Sequence, residues 1–394
     1  MQELVSASLP IATDESDVEP EHDREKEIEV PFDPKKIDIQ TTRITVDALL
    51  RRLKNKELDL SPDFQRQAHL WDNRRQSRLI ESILLRIPLP SFYFSEDDSG
   101  NYAVVDGLQR LCTIFHFLDA KILNLATNAA LSPLRLSDLQ YLKELDAKLY
   151  IDMDRAFQRR VEELEISVNV IRAGTPSAVK FNVFARLNQG GLPLTAQEIR
   201  NAIFPGPWRR HIRDMATSET FIRVTQGRIR TDRQQDAELA LRFVALARLG
   251  KPYERVSRVT LDEFLNNTVE QELSRWSERD WTGVETRFER ALLGAEHIFG
   301  RYAFRKVYDP RASRLPINRG LFEAELLAID SLADAEIEAL AAMKEAVLAA
   351  LSAKLQSEDS PGFASALSFA TGSGEASNTR ISTMMALLRE VLDA

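Results

Sequence analysis

Residues 104–118, VVDGLQRLCTIFHFL, narrow most sharply what this chain can fold into. Two β-branched residues run into Asp106-Gly107, which predicts a strand ending in a tight corner. The residues after the corner have helical spacing at about 100° per residue. Leu108, Leu111, Phe115 and Leu118 line one face, and Ile114 and Phe117 cover a second. A helix this apolar is buried on more than one side. Its polar residues are confined to a narrow stripe of Gln109, Thr113 and His116, with Arg110 beside it.

Such a corner has the makings of an anion site. The first N–H groups of a helix lack internal partners and carry partial positive charge. Gly107 permits a tight turn and close approach. Arg110 can fork onto phosphate oxygens, Asp106 can hold a divalent ion or orient a water, and Gln109 can position that water. The same residues also fit an ordinary Asp-Gly turn in which Arg110 pairs with Asp106. No G-x-x-x-x-G-K-[ST] loop occurs in the chain.

The remaining sequence divides into three parts. Residues 1–30 hold ten acidic residues against Arg24 and Lys26 and contain no aromatic residue. That composition cannot bury enough surface to order itself, and it predicts a disordered acidic tail. The tail carries the whole net charge of −8, so residues 31–394 balance to zero. Within that neutral body arginines cluster at 51–56, 74–78, 208–213 and 228–233. Residues 301–319 add six basic residues against one acidic. These runs suit either solvated helix faces or phosphate contacts.

From 31 to 204 strand and helix signals mix. Strands are expected at 37–46, around a hairpin over 91–105, and at 166–173. Helices are expected at 46–58, 75–86, 120–160 and 177–187. TAQE at 195–198 matches a capping box and starts a helix to about Ile203. Pro205-Gly206-Pro207 breaks the chain and is read as a domain boundary. From 205 to 394 helical patterns dominate, at 233–249, 261–275, 282–299, 320–330, 334–356 and 379–393, with a flexible loop over 371–380.

Cys112 is the only cysteine, which excludes an internal disulfide framework and fits a reducing cytoplasm. No stretch approaches the roughly 18 apolar residues of a membrane span. The five histidines form no cluster at metal-ligand spacing, so no metal ligands are assigned.

Three blocks resemble the N-terminal domain of GmrSD-type, modification-dependent restriction proteins. VVDGLQRLCTI is similar to that family's Asp-Gly-Gln-Gln-Arg signature. PDFQRQAHLWDNRRQSRLIESILLRIPLPSFYF (62–94) resembles its opening block, and FARLNQGGLPLTAQEIRNAIF (184–204) its third. Fainter echoes follow at DAELALRFVAL (236–246) and NTRISTMMALL (378–388). The resemblance implies an α+β fold, with a ParB/sulfiredoxin-like N-terminal domain followed by a mostly α-helical C-terminal one. It implies nucleotide binding or hydrolysis, with ATP, GTP or CTP undetermined and Mg2+ as a possible companion, in bacterial defence against foreign DNA. By position, Asp106, Gln109 and Arg110 take catalytic roles. Gln65, Arg66, Gly107, Thr113, Asn188, Glu198 and Arg200 take nucleotide-binding ones.

Two departures qualify this. Leu108 replaces the signature's first Gln, which favours a catalytically degenerate DNA-binding or protein-interaction subunit as the alternative. The family's C-terminal His-Asn-His nuclease has no counterpart among the five histidines, so DNA cleavage, if any, is expected to need a separate nuclease partner or a separate site. Sulfiredoxin-type chemistry is not expected, because Leu108 stands where those enzymes place a reactive cysteine. Cys112 falls beside the apolar face, where a thiol is inert.

Overall fold

The computed structural model describes residues 18–19, 38–60, 71–127, 129–187, 195–229, 231, 234–249, 260–306, 316–357, 361–368 and 372–394. Five strands, β1 (Ile39–Thr45), β2 (Leu58–Asp59), β3 (Phe92–Glu96), β4 (Tyr102–Asp106) and β5 (Glu165–Ile171), form one sheet in the order β1-β5-β3-β4-β2. The β1–β5 and β3–β4 pairs are antiparallel, and β3–β5 and β2–β4 are parallel.

Side chains alternate across the sheet, and both faces are covered. Phe92, Phe94, Val104, Ile166, Val168 and Val170 join one apolar core. Helices α1 (Val46–Lys54), α2 (Asn73–Leu84), α3 (Leu108–Thr127) and α4 (Arg155–Glu162) complete it. The intervening Tyr93, Val105 and Ile171 turn the other way. They meet a second core that begins with α5 (Ser177–Leu187) and α6 (Ala196–Ile203) and continues through the helical half. The chain is thus α+β, with a helical C-terminal region.

Local chemistry explains where several elements begin. Thr45 Oγ1 accepts from Ala48 N (3.3 Å), and Asp72 Oδ1 from Arg75 N (2.7 Å). The capping box forms at α6: Glu198 N donates to Thr195 Oγ1 (3.2 Å), and Thr195 N to Glu198 Oε2 (2.6 Å). In the β3–β4 hairpin, Asp97 Oδ1 accepts from Ser99 N and Asn101 N, while Gly100 takes a positive φ of 78°.

The helical reading of 120–160 holds only at its two ends. Helix α3 bends at Asp119 (φ −157°, ψ 85°) and ends at Thr127. The described chain from 129 to 154 is irregular, apart from short 3-10 turns at Lys143–Leu145 and Tyr150–Asp152. The reason lies on α2. The Glu81 carboxylate accepts the N–H groups of Gln140, Tyr141 and Leu142, and Ser77 Oγ that of Ser137. Side chains far away in sequence supply the partners a helix would otherwise have supplied.

The helical half holds α7 (Trp208–Ala216), α8 (Glu219–Val224), α9 (Gln235–Ala247), α10 (Leu261–Gln271), α11 (Glu278–Phe299), α12 (Arg319–Asp330), α13 (Asp334–Ala342), α14 (Lys344–Gln356), α15 (Pro361–Ser368) and α16 (Gly374–Leu392). The helix expected over 334–356 is two, broken at Met343 (φ −104°, ψ 29°). The expected loop at 371–380 is corrected as well. Ser373 caps α16 by accepting from Ala376 N (3.1 Å), and most of the stretch is helical. Arg380 is fully buried there and donates to Glu323 Oε2 (Nε, 2.7 Å). Arg242 reaches the other Glu323 oxygen (3.5 Å) and pairs with Glu238.

Pro205-Gly206-Pro207 links α6 to α7, yet the apolar core runs across it. Ile199, Ile203, Phe204 and Trp208 belong to one cluster, and Trp208 Nε1 donates to Phe204 O (2.9 Å). In the acidic stretch, Val18 and Glu19 depart from the expected disorder. Val18 is buried and bridges Ile317, because the helical half offers it a backbone edge and an apolar seat.

Candidate functional site

The sheet edge where β4 ends places Asp106, Gly107, Gln109, Arg110 and Thr113 around the first turn of α3. Gly107 is required there on two grounds. Its φ is +92°, and an added Cβ would lie 2.3 Å from Phe92 Cδ1. The close approach that the glycine permits is therefore to a core aromatic ring.

Arg110 crosses the corner and forks onto the chain leading into β3. Its Nη1 donates to Pro90 O (2.5 Å), and its Nη2 to Ser91 O (3.2 Å) and Asp106 Oδ2 (3.1 Å). The guanidinium carbon stands 4.4 Å from the Phe92 ring centroid. Burial pulls its pKa down, partly offset by the Asp106 charge. The Asp106 side chain keeps 49% of its surface exposed, against 13% for Arg110. The carboxylate thus faces solvent while the guanidinium holds it from behind.

Gln109 Oε1 accepts from the backbone N of Trp71 (3.3 Å). Thr113 is fully buried and returns its hydroxyl to Gln109 O (2.8 Å), so it faces the helix rather than a ligand. Leu108 packs partly against the N-terminal core. Cys112 is buried, and burial pushes its thiol pKa up, as fits an inert core cysteine. His116 bridges Gln76 Oε1 (2.9 Å) and Ser132 O (2.7 Å), and burial lowers its pKa.

The remaining predicted site residues lie elsewhere. Gln65, Arg66 and Asn188 fall outside the described residues. Glu198 is engaged in the α6 capping box. Arg200 is fully buried and donates to Asp262 (2.7 Å), Asn266 (2.8 Å) and Gln197 (2.5 Å). Burial depresses its pKa, while Asp262 pulls it back up. Arg200 thus joins α6 to α10, and the helix it braces packs against β4. Among the described residues no group of three or more His, Cys, Asp or Glu side chains is placed to hold a metal ion.

Many of the clustered arginines are used inside the fold. Arg51 pairs with Asp47 (2.6 Å), Arg52 donates to Gly100 O (3.1 Å), and Arg78 reaches Gln140 (2.9 Å). Arg209 pairs with Asp59 (2.7 Å) and Arg210 with Glu278 (3.2 Å).

A basic groove that linear reading did not find lies between the turn after α2 and α4. It encloses about 720 Å³ and is lined by Arg43, Arg86, Arg159 and Arg160, with Ile87 and Leu89 on its apolar wall and Glu163 and Glu165 among its lining. Arg160 donates to Leu84 O, and Arg43 stands 3.9 Å from Glu165. The Arg86 and Arg159 side chains make no hydrogen bond to any described residue. These arginines come from β1, the turn after α2, and α4, so no sequence cluster announces them.

Residues 47–205 match the family model for the GmrSD restriction endonuclease, N-terminal domain. Over these residues the chain is similar to that N-terminal domain. No curated protein and no solved structure matches. Among the described residues no helix is long and apolar enough to cross a membrane.

Proposed function

We propose that this chain is a nucleotide-binding, NTP-hydrolysing component of a bacterial restriction or phage-defence system, built on a ParB/sulfiredoxin-like core. The observation that carries this reading is the Trp71 N to Gln109 Oε1 hydrogen bond. Trp71 follows the segment holding Gln65 and Arg66 in sequence, and the bond joins this part of the first block to the second. The first amides of α3 lack intrahelical partners and point to where phosphate oxygens would sit. Asp106 presents an exposed carboxylate beside them. One carboxylate plus phosphate oxygens is the usual way to hold Mg2+, which would neutralise charge on the triphosphate.

In this reading Gln109 orients a water for attack on the γ-phosphorus. The bond to the β-bridging oxygen breaks, releasing nucleoside diphosphate and phosphate. Arg110 is a positioning residue that aims Asp106. Arg66 is assigned as a phosphate-binding cation by the family resemblance alone, and Arg200 acts through the placement of α6. Binding of fluorescent ATP, GTP and CTP analogues to wild type and Asp106→Asn tests this. Magnesium-dependent binding that weakens in the variant supports it.

A second reading, a DNA-binding subunit with a degenerate pocket, is favoured by the arginine-lined groove and by the engagement of Arg110 with protein acceptors. Duplex affinity that falls steeply with salt, without nucleotide turnover, would select it. Under either reading, any cleavage of DNA is assigned to a partner protein or to a separate site.

A further inference from the structure

The polar stripe of α3 closes a ring of hydrogen bonds with the start of α2. Trp71 N donates to Gln109 Oε1 (3.3 Å), and Trp71 O accepts from Gln76 Nε2 (2.5 Å). Gln76 Oε1 meets Nδ1 of His116 (2.9 Å), which lies on the same face of α3 as Gln109. His116 Nε2 stands 2.7 Å from Ser132 O. Gln76 is 5% exposed and His116 7%, so water has little access to either. Charged side chains on the elements packed against this ring have other partners. Arg75 lies over the Trp71 ring (4.3 Å), Arg78 and Glu81 meet the chain at 140–142, and Arg135 donates to Ala147 O.

We infer that Gln76 and His116 are positioning residues for Gln109, acting through the Trp71 backbone, and that they require the His116 proton on Nδ1. Donors and acceptors decide this. Both His116 nitrogens face acceptors, but a neutral imidazole has a single N–H. Burial lowers the His116 pKa, against the Ser132 carbonyl, and so favours the neutral ring. Gln76 determines which nitrogen keeps the proton. Its Nε2 must face Trp71 O, because the flipped amide would set Oε1 against that carbonyl. Oε1 is then turned to His116 and needs a donor there. Ser132 is exposed, and water can serve its carbonyl instead. Trp71 is thereby held at both its N–H and its carbonyl. Gln109 Nε2 makes no hydrogen bond to a described residue, so pinning Oε1 leaves its donors for a water. The inference rests on the reading in which Gln109 orients the attacking water, and adds what fixes its amide.

The test uses the full chain in three forms: wild type, His116→Asn and His116→Gln. Nitrogen NMR of histidine-labelled wild type in mildly alkaline buffer should show His116 protonated on Nδ1, a result that depends on no variant folding. Asn carries its amide nitrogen near the place of Nδ1 and keeps a donor for Gln76. Gln carries it near the place of Nε2 and keeps a donor only for Ser132. Exchange of the Trp71 amide hydrogen should therefore stay near wild type in His116→Asn and run about fivefold faster in His116→Gln. A merely structural histidine would speed exchange alike in both. A proton on Nε2 in wild type, or equal Trp71 exchange in the two variants, overturns the inference. Magnesium-dependent phosphate release should fall further in His116→Gln than in His116→Asn. Equal release at unequal exchange would overturn the role at the site. No release by wild type would refute the nucleotide reading and with it this use of the relay. The tautomer and the Trp71 exchange need no nucleotide, so they judge the relay itself separately.

Discussion

Arg110 holds Asp106 from the buried side, Nη2 to Oδ2 at 3.1 Å, while its other contacts fasten the Pro90 and Ser91 carbonyls. The guanidinium fixes the corner that any ligand would meet. Replacing it with Ala leaves two backbone carbonyls without that partner and removes the ring contact with Phe92. The expected loss is about 2–4 kcal/mol of folding stability. Lys, which cannot fork, should recover only part of it. Urea unfolding of Arg110→Ala and Arg110→Lys measures this, and an unchanged midpoint would show the contacts to be idle.

Gly107 is constrained by backbone and by space. Its φ of +92° strains any L side chain, and a Cβ would sit inside the contact distance of the Phe92 ring. Gly107→Ala is expected to destabilise by roughly 3 kcal/mol or more. Combining it with Phe92→Leu should cost less than the sum of the two single changes, because the overlap is shared. Strict additivity in thermal melts would locate the strain elsewhere.

Glu81 gives the N-terminal domain a pH dependence. Burial pushes its carboxyl up, but the amides of Leu142, Gln140 and Tyr141, with Arg78, outweigh that and hold it below the ordinary value of 4.5. The folded pKa lies below the unfolded one. Its stabilisation is therefore complete above pH 4.5 and lost as pH falls through the folded value. Glu81→Gln should cost about 2 kcal/mol at neutral pH. The gap between variant and wild type should close in acid. A gap that stays constant from neutral pH into acid would refute the assignment.

The groove between α4 and the turn after α2 has two arginines that make no hydrogen bond to described residues, Arg86 and Arg159. If duplex DNA lies there, reversing either charge weakens binding across all sequences and lowers the salt slope by about 0.9. Arg51→Glu, on an exposed α1 position already paired with Asp47, should change affinity less. Equal effects of all three would mean only a diffuse charge effect.

The parts legible in sequence are those set by local rules. The strand into Asp106-Gly107 and the box at Thr195–Glu198 each depend on residues within a few positions of one another, and each stands where expected. The irregular path from 129 to 154 was not legible, because Glu81, dozens of residues away, satisfies its amides. The last helix begins earlier than TGSGEASNTR suggests, because burial of Arg380 against Glu323 outweighs a composition that favours a loop. The corner's sequence reads as a candidate anion site, whereas the use of its arginine as an internal brace depends on Pro90 and Ser91, which sequence alone does not bring near. The basic groove is assembled from three elements and left no run to read.

The most direct test of the nucleotide reading is phosphate release from ATP, GTP and CTP in the presence of magnesium, with and without duplex DNA, by wild type and by Asp106→Asn. The account predicts magnesium-dependent release of phosphate from at least one nucleotide by wild type, and its loss in Asp106→Asn at unchanged melting temperature. Absence of both binding and release for all three nucleotides, or equal release by the two proteins, would contradict it.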